Sequence, residues 1–383
     1  MESVTYARSR LWLGITGVGL IVVLAVLLVA LEVPARALEG QGGTPLADAR
    51  VLLGSAALAA LLALPFDWIG GIVLPRRFGR PVKAASQFLW AWLRGVLVLS
   101  LLWTANGTLL LAAGRTGGRP AALLAFACIA VLLILFQERL ARFVGGLRRS
   151  PMEARGAPGS RAPSIILLDG SDPGFTGGFA GGLTDGKASL VLPRRWYGEL
   201  PPRIFILLIE RRLQILRSGA WRRALILAVL WNALGFFLAS HLPNAGVSTP
   251  SELLTTTLGV TLWTFLGLLV LPTPSRRATL RADARVARDA DTRANLIQAV
   301  RLLDRFQDDE PERSPGLESI FHPVPACANR VRALEQPRVD PPLAWNLART
   351  ALYLSYAGLS LLPRAVHCNV GRPELWIYMP ADG

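Results

Sequence analysis

Between Leu200 and Ser240 the chain runs from a charged helical stretch straight into an apolar one, and that continuity restricts the fold more than any other feature. Pro201 and Pro202 suit a helix start, where the missing N–H is not needed, and no further proline occurs from Arg203 until Pro243. The first half carries Glu210, Arg211, Arg212 and Arg217, whereas Ala224 to Ser240 is apolar enough to require lipid or other spans around it. The expectation is one polar helix that enters a membrane.

Five more apolar runs point the same way: Leu11 to Leu31, Val51 to Leu74, Phe88 to Ala113, Ala121 to Phe136 and Leu253 to Leu271. Each approaches the length needed for about 30 Å of hydrocarbon. With 52% hydrophobic residues gathered into such runs, the 383-residue chain is no ordinary soluble protein. A net charge of +15 would point to nucleic acid in a soluble chain. Here the cations flank the spans, so no nucleic-acid partner is expected and the lipid bilayer is the first partner. Arg8 and Arg10, then Arg76, Arg77, Arg80 and Lys83, then Arg139, Arg142, Arg148 and Arg149 place the N-terminus inside. Six spans return the C-terminus to the same side, so both termini are expected to be cytoplasmic, in a plasma (inner) membrane. The first run is longer than a signal-peptide core and lacks a small-residue cleavage site, so it reads as a retained span. Cys128, Cys327 and Cys368 have no Cys-x-x-Cys spacing and imply no disulfide framework.

The expected divisions are a four-span region at 1–144, soluble segments at 145–222 and 274–340 separated by a transmembrane hairpin at 223–273, and a C-terminal part at 341–383. Residues 150–163 read as a linker. Ser164 to Leu168 and Ala188 to Leu192 are strand candidates on either side of a glycine-rich stretch, Gly170 to Gly186. Arg276 to Phe306 is compatible with one continuous helix. Leu343 to Leu362 contains Arg349 and is bounded by prolines, which favours an amphipathic or docked helix over a seventh span.

Chemistry-bearing residues are few. Asp67 and Arg94 sit in or near spans, where an unpaired charge costs several kcal/mol, so they are expected to pair between neighbouring helices. A transport path needs more intramembrane charge than these two supply. Gly181 to Ala188 imitates a phosphate-binding loop, but Ala188 stands where magnesium needs a hydroxyl and a strand follows where a helix is required. Asn106-Gly107-Thr108 matches a glycosylation acceptor inside a span, out of reach of a transferase. His241, His322 and His367 are scattered. His322 and His367 with Cys368 could meet around a metal, although hydrogen-bonded histidines at turns explain them as well. Glu210 and Gln214 lie one turn apart on one helix face, the spacing of a zinc-binding His-Glu-x-x-His helix, with Glu-Arg-Arg-Leu-Gln in its place.

Several pieces together resemble the integral-membrane zinc metallopeptidases typified by CAAX prenyl endopeptidases and bacterial heat-shock membrane proteases. These are the Leu64-Pro-Phe-Asp-Trp turn leading to Arg76-Arg77-Phe78-Gly79, Phe179-Ala-Gly-Gly, Lys187 to Pro193, the Glu210 helix followed by a hairpin, Ser275 to Asp283, and Phe321-His322-Pro323 with the basic Ala328 to Arg332. The resemblance spans about 60 to 335. It implies an α-helical multi-span membrane protein with a small α+β, gluzincin-like cytoplasmic domain split by the transmembrane hairpin. Lys187 to Pro193 would be the edge strand against which a substrate lies.

The departures fall where chemistry would occur. By the resemblance, the two zinc histidines become Glu210 and Gln214, the catalytic glutamate becomes Arg211 and the third ligand becomes Arg281, while Asp283 survives; Arg212, Asp283 and His322 are the neighbouring residues. Arginines stay charged at neutral pH and repel Zn²⁺. No catalytic residue, metal or other cofactor is therefore expected, and Glu210 and Arg281 are expected to replace the metal with an ion pair. The reading is a catalytically inactive homologue, a pseudopeptidase, with a binding or scaffolding role toward a polypeptide or an anionic lipid. The rivals are an active metallo-endopeptidase with a rearranged site and a transporter-like protein.

Overall fold

The computed structural model describes residues 5–150, 164–169, 178–180, 189–307, 310, 312–316, 318, 322, 324–336, 351, 362–366 and 368–377. The membrane part opens with α1 (Tyr6–Ala30), the short α2 (Val33–Ala37) and α3 (Pro45–Trp68). A π-helical turn, Ile69–Val73, carries α3 into α4 (Leu74–Arg77). Threonines start the spans: Thr5 accepts from Arg8 N and Thr44 from Ala47 N, with Pro45 behind it. Each caps an orphan N–H while leaving the following face free for lipid.

Next comes α5 (Ala85–Leu135), whose 51 residues would reach about 76 Å as one rod at 1.5 Å per residue. That is over twice the hydrocarbon thickness of about 30 Å. Gly117 and Gly118 break it, Gly118 at φ 66° and ψ −163°, a conformation open only to glycine, and Pro120 restarts the helix. The two limbs are the expected third and fourth spans. Beyond them lies α6 (Gln137–Gly145).

Four strands follow: β1 (Arg148–Arg149), β2 (Ser164–Asp169), β3 (Gly178–Ala180) and β4 (Ser189–Pro193). They form one sheet in the order β1-β2-β4-β3. β2 and β4 are parallel, Ile166 opposite Val191, while β1 and β3 run antiparallel along its two edges. Both expected strands are present, but β4, the stretch expected as the edge strand, is an inner one, because β3, from the glycine-rich stretch, pairs along its outer side.

α7 (Arg194–Glu199) leads to α8 (Pro202–Arg217), α9 (Ala220–Ala239) and α10 (Pro250–Val270). The single helix expected from Leu200 to Ser240 is two: Gly219 takes φ 68° and ends α8, because a left-handed residue terminates an α-helix and glycine bears it without strain. α9 and α10 pack as a close hairpin. A Cβ on Gly235 would lie 2.1 Å from Trp263, whose indole donates to Trp231 O at 3.0 Å.

Then come α11 (Pro272–Val286), α12 (Ala290–Gln307), α13 (Cys327–Glu335) and the one-turn α14 (Leu362–Ala365). The continuous helix expected over Arg276–Phe306 breaks at Ala287–Asp289. Asp289 accepts from Thr292 N at 2.7 Å and begins a new helix. Leu167, Leu192, Trp196, Phe205, Leu208, Leu296, Leu303 and Leu334 form one buried cluster, so segments before and after the hairpin share a core. The expected helix at Leu343 to Leu362 lies outside the described residues except for Ala351 and Leu362.

Five described helices are long and apolar enough to cross a membrane, the longest being the broken α5. The chain is an integral membrane protein. At the end of the bundle away from the sheet, Arg115 grips the buried Asp48 carboxylate at 2.6 and 3.0 Å and donates to Ser248 O at 2.8 Å. One guanidinium on α5 thus ties the first turn of α3 to the α9–α10 connection.

Candidate functional site

α8 meets α11 and α13 through charge. Arg211 is fully buried, and its Nε donates to Asp283 Oδ1 at 2.5 Å. Arg330, on α13, donates to the other oxygen at 2.8 Å through Nε and to Oδ1 at 3.0 Å through Nη2. One carboxylate therefore bridges two arginines and joins three helices. Burial pushes the Asp283 carboxyl up, but the charges and hydrogen bonds of Arg211 and Arg330 outweigh it and hold the group below the usual carboxylate range.

The expected Glu210–Arg281 pair is not formed. Glu210, partly exposed, accepts from Gln214 at 2.8 Å and from Arg217 at 3.1 Å along its own helix. The reason is rotational phase. Residues two apart on a helix do not share a face, so when Asp283 turns toward α8, Arg281 turns elsewhere. The residue one turn before Asp283, and so on its face, is Thr279, which is fully buried. Arg212, next to Arg211, is also fully buried and places its guanidinium 5.3 Å from the centre of the Trp196 ring, facing the core rather than Asp283.

A second buried carboxylate, Glu318, adjoins this cluster. Its Oε2 accepts from Asn329 Nδ2 at 2.7 Å, and its Oε1 lies 3.6 Å from Arg276 Nε. His322 is buried beside it, its N–H directed at Glu318 O at 3.4 Å. His367 lies outside the described residues. Burial raises the Cys327 thiol, so this side chain is not a ready thiolate nucleophile.

The sequence signal missed Arg330, Glu318 and Thr279. A buried acid among so many arginines was the available hint, but spacing names no partner.

Among the described residues, no three His, Cys, Asp or Glu side chains converge as a metal would require. Asp283, which faces Arg211, already spends both oxygens on guanidinium groups, which approach from where a cation would. A zinc ion does not fit this donor set.

The expected Asp67–Arg94 pair is also replaced. Asp67, 2% exposed, accepts from Trp92 Nε1 at 2.9 Å, Arg364 Nη2 at 2.8 Å and Gly371 N at 2.8 Å. Arg94 follows Trp92 by two residues, so it points away, toward Val144 O at 3.4 Å on α6.

No known family's sequence profile matches the chain, and no curated protein matches it in sequence. Among solved structures it is similar to the crystal structure of S. mikatae Ste24p, at a TM-score of 0.61 and 16% identity, with 74% of each chain covered. At that identity the likeness is one of fold.

Proposed function

We propose that this Ste24p-like chain is a membrane relative of the zinc metallopeptidases in which side chains have taken over the metal's structural task, leaving a non-catalytic protein that binds rather than cuts. The fold likeness supports the kinship. The observation that carries the reading is the Arg211–Asp283–Arg330 bridge. A guanidinium stands where the resemblance expects the carboxylate that activates water, and it cannot accept a proton at neutral pH. The sheet with α8, α11 and α12 is then the peptidase-like domain, divided by the α9–α10 hairpin.

The retained parts indicate what is held. β3 forms one edge of the sheet and pairs only with β4 among the described strands, which suits addition of an extended polypeptide. Arg277, exposed and in the second turn of α11 just past the end of α10, stands near the level where an anionic lipid presents its headgroup. The arginines flanking the spans support a cytoplasmic side for the sheet and for both termini.

Elemental analysis of the purified full chain, with a peptide-cleavage assay on the same sample, tests the reading. Sub-stoichiometric zinc and no turnover are expected. One equivalent of zinc that is lost on Gln214→Ala, together with cleavage lost in the same variant, overturns it.

A further inference from the structure

The last described stretch of the chain does not lie on the surface. It turns into the bundle and packs between two groups of helices. On one side, Leu362, Ala365, Val366 and Cys368 pack against Val18, Ile21 and Val22 of α1 and Phe265 and Leu268 of α10. On the other, the backbone of 370–371 touches the π-helical turn. A Cβ on Gly70 would lie 2.6 Å from Val370 O, and one on Gly371 would lie 2.3 Å from Gly71 N. Farther along, Trp376 covers Gly95 of α5 and Glu374 covers Gly145 of α6.

Position along the spans gives the depth. Gly17, against Ala365, is about 16 Å along α1 from Tyr6, and Asp67 is about 15 Å before the arginines that close α4. Non-helical backbone at such depth persists only when protein or trapped water satisfies its polar groups. Here Arg10 donates to Gly70 O and to Val370 O, each at 2.9 Å. Asp67 accepts from Gly371 N, and Asn369 donates to Pro363 O at 2.8 Å. Arg364 reaches Asp67 while its guanidinium stacks 4.0 Å from the centre of the Trp376 ring, and Lys83 pairs with Glu374.

We propose that the described stretches 362–366 and 368–377 form a plug that fills the sheet-side half of the bundle, and that Arg10, Asp67 and Arg364 are the latch by which it seats and releases. Two observations make it a releasable part. Arg364 Nε and Asn369 Oδ1 are buried with no hydrogen-bond partner among the described residues, a cost carried only in the seated state. The receiving π-turn is a helix irregularity of the kind that recurs at functional positions. Because Glu374 rests on Gly145, where α6 turns toward β1, release of the plug is felt where the bundle joins the sheet. The proposal does not depend on whether the Arg211 site is catalytic.

Seating is tested by a cross-link. The Cβ built at Gly17 is 3.6 Å from Ala365 Cβ, within the spacing of a disulfide. Gly17→Cys/Ala365→Cys, with Cys128, Cys327 and Cys368 changed to Ser, should cross-link under mild oxidation in native membranes. Failure to cross-link in folded protein overturns the plug. Release is tested with the native thiols in a Cys128→Ser background, by following modification by a soluble maleimide at Cys368 in the plug and at the buried Cys327 in α13. Asp67→Asn and Arg10→Gln should each speed Cys368 labelling at least about tenfold and leave Cys327 unchanged, as local opening requires. Equal acceleration at both thiols would mean global loosening, and no acceleration would mean a permanent fixture. Either result overturns the latch.

Discussion

Asp283→Asn keeps the shape of the side chain and removes its charge, which makes it the sharpest test of the buried bridge. Arg211 is fully buried and Arg330 is 4% exposed, so neither cation can turn to bulk water. The contacts of 2.5 Å and 2.8 Å to one carboxyl put the two guanidinium charges within about 6 Å of each other. At an effective dielectric of about 20 their unrelieved repulsion is about 3 kcal/mol. Breaking a buried pair by removing one member costs about 3–5 kcal/mol in general, in agreement with that figure. At roughly 2 °C per kcal/mol, the midpoint of thermal unfolding in detergent should fall by about 6–10 °C. The companion variant Arg211→Met/Asp283→Leu/Arg330→Met removes all three charges and should melt within a few degrees of the parent or above it, because desolvation no longer opposes burial. Unfolding of Asp283→Asn within about 1 °C of the parent would refute the reasoning, as would a triple variant less stable than the single one.

Acid should act through the same carboxyl. Its folded value is depressed, so its contribution is complete above the unfolded value of about 4 and disappears as pH falls through the lower folded value. The parent's melting midpoint should therefore drop below about pH 4, and Asp283→Asn should flatten the profile in that window. Asp48→Asn should cost about 1.5–3 kcal/mol, read by thermal melting, because Arg115 loses a two-pronged partner but stays partly exposed. Gly118→Val should cost about 1–3 kcal/mol in the same assay, since no β-branched residue reaches φ 66° with ψ −163° unstrained.

The spans and strands were legible because they rest on local pattern: apolar length for the helices, short β-branched and leucine runs between turn residues for β2 and β4. The breaks at Gly219 and Asp289 were not, since neither interrupts the apolar pattern, and a glycine or an aspartate within a helical stretch is as often tolerated as obeyed. Arg211, singled out by its place in the Glu210–Gln214 turn, is fully buried. The expected Glu210–Arg281 pair was misassigned because sign alone could not choose: 41 Lys and Arg compete for 26 Asp and Glu. What aims Asp283 rather than Arg281 at α8 is the phase of α11, and what brings Arg330 and Arg364 to their acids is tertiary folding across 47 and 297 residues.

That imbalance sets an order among variants. When acids are scarce, a buried carboxylate is shared, as Asp283 is shared by Arg211 and Arg330, and Asp67 by Arg364, Trp92 and a backbone N–H. Loss of one cation then leaves a paired acid, whereas loss of the acid removes the carboxylate that both cations share. Arg330→Gln retains the Arg211–Asp283 contact at 2.5 Å and an amide that can still donate, so it should cost only about 1–2 kcal/mol, well under the loss from Asp283→Asn. Thermal melting of the two variants side by side measures the difference. Should Arg330→Gln prove the more damaging of the two, the carboxylate is not the hub, and the account of α8, α11 and α13 as a charge-bridged unit fails with it.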